Sequence, residues 1–251
     1  MKKQPPKSAS IWTSGVNQAL DALRGEGVRV REIALARTDQ RIQEIVEEAG
    51  RKGIPIRRET RDALSALVGH AHHQGVAVCV EEYVYTPLEA VTARPVEERE
   101  PLVVLDSIQD PQNLGAMIRS SCFLGAKGVV IPKDRSVRVT GTVIKVAAGA
   151  TAYVPVIEVT NLARALDELK DAGLWIVGLD VQGDRSIHEA NLTVPLALVI
   201  GSEQKGMRPL IRKQCDLLVK IPARGPIQSL NAATACAIAL AEVQRQRAAA
   251  S

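Results

Sequence analysis

At 251 residues, 46% hydrophobic and 24% charged, the chain has the make-up of an ordinary globular protein, long enough for one large domain or two smaller ones. With one Phe, two Trp and three Tyr it cannot build many aromatic platforms, so any nucleic acid it binds must be held mainly by phosphate charge, shape and polar contacts. The net charge of +4 is uneven: Lys and Arg stand 13 to 9 against Asp and Glu over residues 1–80, 2 to 6 over 81–100 and 17 to 13 over 101–251. Two mildly basic blocks around an acidic stretch suit two domains that both touch a polyanion, although ordinary solvated surfaces give the same pattern.

Residues 1–10 read as a disordered basic tail; no apolar run follows them, so neither a signal peptide nor a membrane span is expected. Over 11–82 the pattern alternates: helix at Val16–Arg24, strand at Glu32–Ala36, helix at Arg41–Lys52, strand at Ile54–Arg57, helix at Arg61–Val68 and strand at Gly75–Val80. This is a small α/β domain. His70, His72 and His73 form a turn before its last strand; with no other His or Cys nearby in sequence, an RNA-contacting or structural turn is favoured over a metal site. Residues 83–100, rich in proline and glutamate, read as a linker.

From 101 to 251 short apolar strands alternate with helices. Strands are expected at Leu102–Leu105, Gly128–Ile131, Tyr153–Val156, Trp175–Leu179, Leu196–Ile200 and Leu217–Ile221. Helices are expected at Asn113–Phe123, Thr140–Ala148, Leu162–Asp171, Pro209–Gln214 and Leu230–Arg245. Nearly unbroken apolar strands between helices specify an α/β fold with a mostly parallel sheet covered on both faces. Cys79, Cys122, Cys215 and Cys236 are far apart in apolar runs, as buried reduced thiols of a cytoplasmic protein are.

Three strands run into loops of unusual polarity, and ligands of open α/β sheets gather at such carboxyl ends. The first loop ends in Asp110-Pro111, which suits a helix start, but capping does not account for Asn113 and Arg119 on an otherwise small and apolar helix. The second, Gly201-Ser202-Glu203-Gln204-Lys205-Gly206-Met207-Arg208, lacks the Lys-hydroxyl pair of a nucleotide-triphosphate loop. Its glycines leave backbone amides open to a ligand. The third runs from Ile221-Pro222 through Gly225-Pro226 to Ser229-Leu230-Asn231, stiffened by proline, with Ser229 as the expected helix cap.

Taken in order, Asp110-Pro111-x-Asn113-Leu114-Gly115 with Arg119, then Gly201-Ser202-Glu203 with Gly206-Met207-Arg208, then Ile221-Pro222 with Gly225 and Ser229-Leu230-Asn231, resemble the SpoU (TrmH-type) branch of the SPOUT RNA methyltransferases. Ser14–Leu20 and His73–Val76 more briefly resemble the substrate-binding domain that precedes the catalytic domain in ribosomal-RNA members. The resemblance implies a knotted catalytic domain, S-adenosylmethionine held mainly by backbone around Gly201, Ile221 and Leu230, and a homodimer with sites at its interface. It implies catalytic roles for Asn113, Arg119, Glu203, Ser229 and Asn231, and transfer of a methyl group to a ribose 2′-hydroxyl. The accessory domain points to a guanosine of 23S rRNA; a transfer-RNA enzyme, an antibiotic-resistance rRNA methylase and a non-catalytic RNA-binding protein remain open. Arg119 is the base proposed for such enzymes, yet guanidinium is effectively always charged, which favours phosphate binding and charge stabilisation instead.

Overall fold

The computed structural model describes residues 10–24, 29–81, 83–93, 100–227 and 229–250. The chain divides into two compact units, 1–84 and 85–251. The tail expected over 1–10 lies, except for Ser10, outside the described residues, as does the 94–99 part of the expected linker.

The first unit runs β1 (Ser10–Ser14), α1 (Val16–Arg24), β2 (Val30–Leu35), α2 (Gln40–Arg51), β3 (Ile56–Arg58), α3 (Arg61–Val68) and β4 (Val76–Glu81). Its sheet has the order β1-β4-β2-β3, antiparallel except for the parallel β2–β3 pair. One core joins Ala19 and Leu23 of α1 and Ile42 and Ile45 of α2 to Ile33, Leu35, Val76 and Val78 of the strands. Leu64 of α3 packs with Ala34 and Ala77, the alternate residues of the same strands, which point to the other face. Asp39 caps α2 and Thr60 caps α3 through side-chain oxygens, and Gly69, in the left-handed region, ends α3. The strand β1 escaped the sequence reading; five mixed residues carry little periodicity, and its pairing with β4 supplies the order. His73 is buried, and its Nδ1 accepts the Gly75 amide at 3.0 Å, a turn-holding role. His70 and His72 instead line an open cavity of about 510 Å³ with Trp12 and Asn17.

The second unit corrects the linker reading. Tyr85–Ala93 is packed: Thr86 bridges to Ile157, and Leu88 and Val91 around α4 (Glu89–Thr92) are buried in the main core. Three residues apart, these two apolar side chains share one helical face, a signal hidden by the flanking prolines and glutamates. There follow β5 (Leu102–Asp106), α5 (Pro111–Phe123), β6 (Gly128–Pro132), α6 (Gly141–Ala147), β7 (Val156–Val159), α7 (Leu162–Asp171) and β8 (Trp175–Leu179). The unit closes with β9 (Arg185–Ser186), β10 (Leu196–Gly201), α8 (Pro209–Gln214), β11 (Leu217–Lys220) and α9 (Ala232–Ala250). Among the described residues these strands form a parallel sheet of order β7-β6-β5-β10-β8-β11-β9.

Alternate strand residues such as Val104, Val130 and Val199 meet α7 and α8 in one core. Helices α5, α6 and α9 pack together, and Gly115 permits the approach of α6, since a Cβ there would stand 2.6 Å from the Val146 Cβ. The strand expected at Tyr153–Val156 is displaced to Val156–Val159, because Ala150–Ala152 winds into a 3₁₀ turn and Pro155 has no amide to give a ladder. All four cysteines are free, and burial pushes the Cys215 and Cys236 thiols up to about 12, so neither ionises readily at neutral pH.

The end of α9 is tied to the segment between β9 and β10. Gln246 accepts the Leu192 amide at 2.9 Å, and Arg247 donates to the carbonyls of Leu192 at 3.2 Å and Val194 at 2.8 Å. Beside them buried Glu242 accepts from Arg245, Gln246 and the His188 side chain; these partners, Arg245 foremost, hold its carboxyl down at about 2 against burial. A depressed carboxyl stabilises the fold above its unfolded value near 4.5 and loses that contribution as pH falls toward about 2. Glu242→Gln should therefore melt below the wild type at pH 6, and thermal scans should see the two curves converge between about pH 4.5 and about 2. A gap independent of pH would reject this role.

Candidate active site

The three unusual loops follow β5, β10 and β11. Strands β5 and β10 are neighbours with Gly201 opposite Asp106, so their loops leave the sheet side by side. The loop after β10 folds back sharply: the Ser202 amide donates to the Gly206 carbonyl at 3.1 Å and the Gly206 amide returns to Ser202 at 2.8 Å. A Cβ on Gly201 would lie 2.1 Å from the Gly206 carbonyl carbon, so glycine is required by contact between backbone and backbone.

This turn carries Glu203 to α5 and to the start of α9. Glu203 Oε1 accepts from Asn113 Nδ2, from Asn231 Nδ2 at 2.9 Å and from the Ala232 backbone amide at 3.4 Å. Asn231 Nδ2 also donates to Asn113 Oδ1 at 2.9 Å. One carboxylate and two carboxamides, from segments up to 118 residues apart, thus form a closed network. Asn231 Oδ1 meanwhile accepts the Ala233 and Thr234 amides at 2.9 and 3.2 Å, which makes Asn231 the cap of α9. This corrects the expectation that Ser229 caps the helix: the chain turns helical two residues later, and the longer Asn side chain serves both cap and network.

Next to the network lies a cavity of about 690 Å³. Gly201 to Met207 form one wall, Ile221 to Gly225 with Ile227, Ser229 and Leu230 a second, and Leu179 to Gln182 a third. Gly201, Ile221 and Leu230 thus share one cavity, and Ser229 is on its rim. Val181, Ile227 and Leu230 are strongly exposed, an uncovered apolar lining that suits the faces of a flat ligand. Arg119 is not brought in: it is exposed and among the described residues has no hydrogen-bond or ion-pair partner. Six residues beyond Asn113, it lies about 9 Å further along α5 and about 120° around it.

Two features escaped the sequence reading. The third wall follows β8, where an Asp-x-Gln-Gly turn after an apolar strand was the available signal; Asp180 there accepts from Arg212 Nε at 2.8 Å. The other is Asp106, fully buried, whose carboxylate accepts both the Arg208 amide and Arg208 Nε at 2.7 Å. Ser107, at φ 65°, donates a further bond to it at 3.1 Å. The pair pins the end of the Gly201–Gly206 turn to β5, and so fixes the base from which Glu203 projects. Asp106→Asn should cost roughly 1–3 kcal/mol in denaturant unfolding, because it replaces a charge-assisted acceptor with an amide. An unchanged unfolding midpoint would remove Asp106 from this role.

Residues 100–241 match the model of the SpoU rRNA Methylase family, and residues 14–86 match that of the RNA 2′-O ribose methyltransferase substrate-binding domain. The chain is 40% identical over 241 residues to a 23S rRNA (guanosine-2′-O-)-methyltransferase RlmB of Xanthomonas campestris, covering 94% of this chain and 96% of that one. It is 43% identical over 213 residues to the RlmB of Coxiella burnetii, covering 84% and 85%. Among solved structures, the SpoU methyltransferase AviRb of Streptomyces viridochromogenes, in complex with AdoMet, aligns over 96% of this chain and 91% of its own. Its TM-score is 0.69, at 27% identity.

Proposed function

We propose that this chain, which belongs to the SpoU rRNA methylase family, transfers a methyl group from S-adenosylmethionine to the 2′-hydroxyl of a guanosine in 23S rRNA. The carrying observation is the Asn113–Glu203–Asn231 network at the edge of an apolar-walled cavity. The cofactor fits what lines that cavity: Leu179, Ile200, Ile221 and Leu230 offer apolar faces to adenine, and the turn at Gly201–Gly206 offers backbone groups to its polar edge. When bound, it supplies a methyl already activated by a sulfonium.

The chain's own residues then have to align the attacking oxygen and stabilise it while its proton passes to solvent water. Glu203 and Asn231 lock the Asn113 carboxamide, whose second N–H is left to meet the ribose, and Ser229 stands at the cavity rim. Arg119 binds a neighbouring phosphate and stabilises the developing alkoxide. Its place on α5, away from the cavity, agrees with a homodimer in which one protomer supplies Arg119 to the other's cavity. Phe123, 88% exposed at the end of α5, and Ile238 on α9 are apolar surface that such a partner would cover.

The SpoU type of knot is supported locally: Asp180–Ile187 hugs β11 so closely that a Cβ on Gly183 would stand 2.5 Å from the Val219 carbonyl carbon, after which the chain turns back toward Glu203. Four free thiols, those of Cys79 and Cys236 buried and those of Cys122 and Cys215 half-buried, agree with a cytoplasmic enzyme. The decisive experiment incubates the protein with labelled cofactor and either 23S rRNA or tRNA, then maps the modified ribose. Label on a guanosine ribose of rRNA is expected; label on tRNA alone would overturn the substrate, and none on either the activity.

A further inference from the structure

Beside the loop after β5 lies a basic turn with no role in the chemistry above, Lys133-Asp134-Arg135-Ser136-Val137-Arg138, at the carboxyl end of β6. β6 pairs directly with β5, so the turn stands one strand, about 4.8 Å, from the segment that leads into Asn113. It is held at three points. The Lys133 amide donates to the Val159 carbonyl at 2.9 Å, and the Val139 amide donates to the Tyr85 hydroxyl at 2.9 Å. Midway, the Ser136 hydroxyl and the Val137 amide both donate to the carbonyl of buried Ile108, at 3.0 and 2.8 Å. The turn is thereby fastened to the first site loop itself.

Its charges are divided in use. Arg138 is committed: it pairs with Glu158 at 3.1 Å and stacks over the Tyr85 ring. Lys133 and Arg135 are exposed, and their side chains have no hydrogen-bond or ion-pair partner among the described residues; the one acidic side chain between them, Asp134, is exposed as well. Arg135 has φ 62°, a left-handed conformation that a long side chain adopts only when its surroundings impose it. The pair of bonds to Ile108 imposes it here. A backbone so constrained, carrying an uncommitted guanidinium beside the proposed methylation site, is preorganised for an anion with fixed geometry, and a guanidinium fork matches phosphate oxygens.

We propose that Lys133 and Arg135 form a phosphate-binding site for the substrate RNA, taking backbone phosphates of the nucleotides that flank the target ribose. This rests on the reading of the adjoining site as an RNA methyltransferase. The test uses the full chain and a labelled rRNA fragment, with RNA affinity measured by anisotropy across a salt series. Lys133→Gln with Arg135→Gln should weaken RNA binding roughly 10-fold or more and flatten the slope of log affinity against log salt by about 0.7 per lost contact, if the strand is single. Calorimetric affinity for S-adenosylmethionine should not change. Arg135→Gly guards against a folding artefact, since glycine adopts this φ freely: it should melt no lower than the wild type and still lose affinity. RNA affinity and salt slope equal to wild type in both variants would overturn the proposal, as would a loss confined to cofactor binding. The failure of the methyltransferase reading is a separate result, a wild type that binds RNA with the expected salt slope yet methylates none.

Discussion

Arg119→Lys is expected to lower kcat about 10²–10³-fold while leaving the affinity for S-adenosylmethionine unchanged, the scale set by removing one preorganised donor from a developing oxyanion. Lysine keeps the charge but loses the planar fork, which is what phosphate and alkoxide together require. Near-normal turnover would show the fork to be dispensable. A guanidinium is effectively always protonated at neutral pH and has no proton-accepting form there, so the variant also bears on the base hypothesis. The position of Arg119 adds a sharper arm. Arg119→Ala and Glu203→Ala are each expected to be inactive, but their co-expressed heterodimer should recover activity, because one composite site then holds both native residues. Recovery in no mixture would place Arg119 and Glu203 in the same protomer's site.

Gly201→Ala is expected to reduce kcat/KM about 10²-fold and to destabilise the fold by roughly 1–3 kcal/mol. The new Cβ would meet Gly206 and Met207 backbone atoms at 2.1 to 2.5 Å, and none of these can rotate away as a side chain can. The turn must open, which moves Glu203 out of reach of Asn113 and Asn231 and deforms a cavity wall. Gly206→Ala is the control: at φ 64° it brings conformational strain but has nothing within 4 Å of its Cβ, so it should lose stability with a smaller loss of activity. Steady-state kinetics with cofactor calorimetry check both. Equal losses in the two variants would show that backbone strain, rather than the Gly201 contact, matters.

Much of this was legible in the chain. Helices α1, α3, α7 and α8 begin and end where apolar period, Asn161 and Thr60 caps and the proline at 209 specify, because such signals are local. Asn113 stood out as a polar residue that capping did not explain, whereas Glu203 and Asn231 carried weight only through the resemblance of the three motifs taken together. What failed was non-local. β1 and the two-residue β9 exist because other strands pair with them. Tyr85–Ala93 looked like a linker because its two buried residues are outnumbered by polar neighbours. Asp106 looked like an ordinary loop residue after the strand, since its partner Arg208 is 102 residues away.

By itself, then, the sequence determined the α/β class, the parallel sheet and the three motifs that carry the SpoU family, since periodicity and residue type express backbone preference and chemistry without reference to distance. Only the tertiary structure decided how those residues divide. It joined Asn113, Glu203 and Asn231 into one network, gave the helix cap to Asn231 rather than Ser229, and left Arg119 outside the cavity. The physical reason is that hydrogen bonds and ion pairs act over about 3 Å in space. The network residues that meet at that range are separated by 28, 90 and 118 positions in the chain, with no spacing rule to join them.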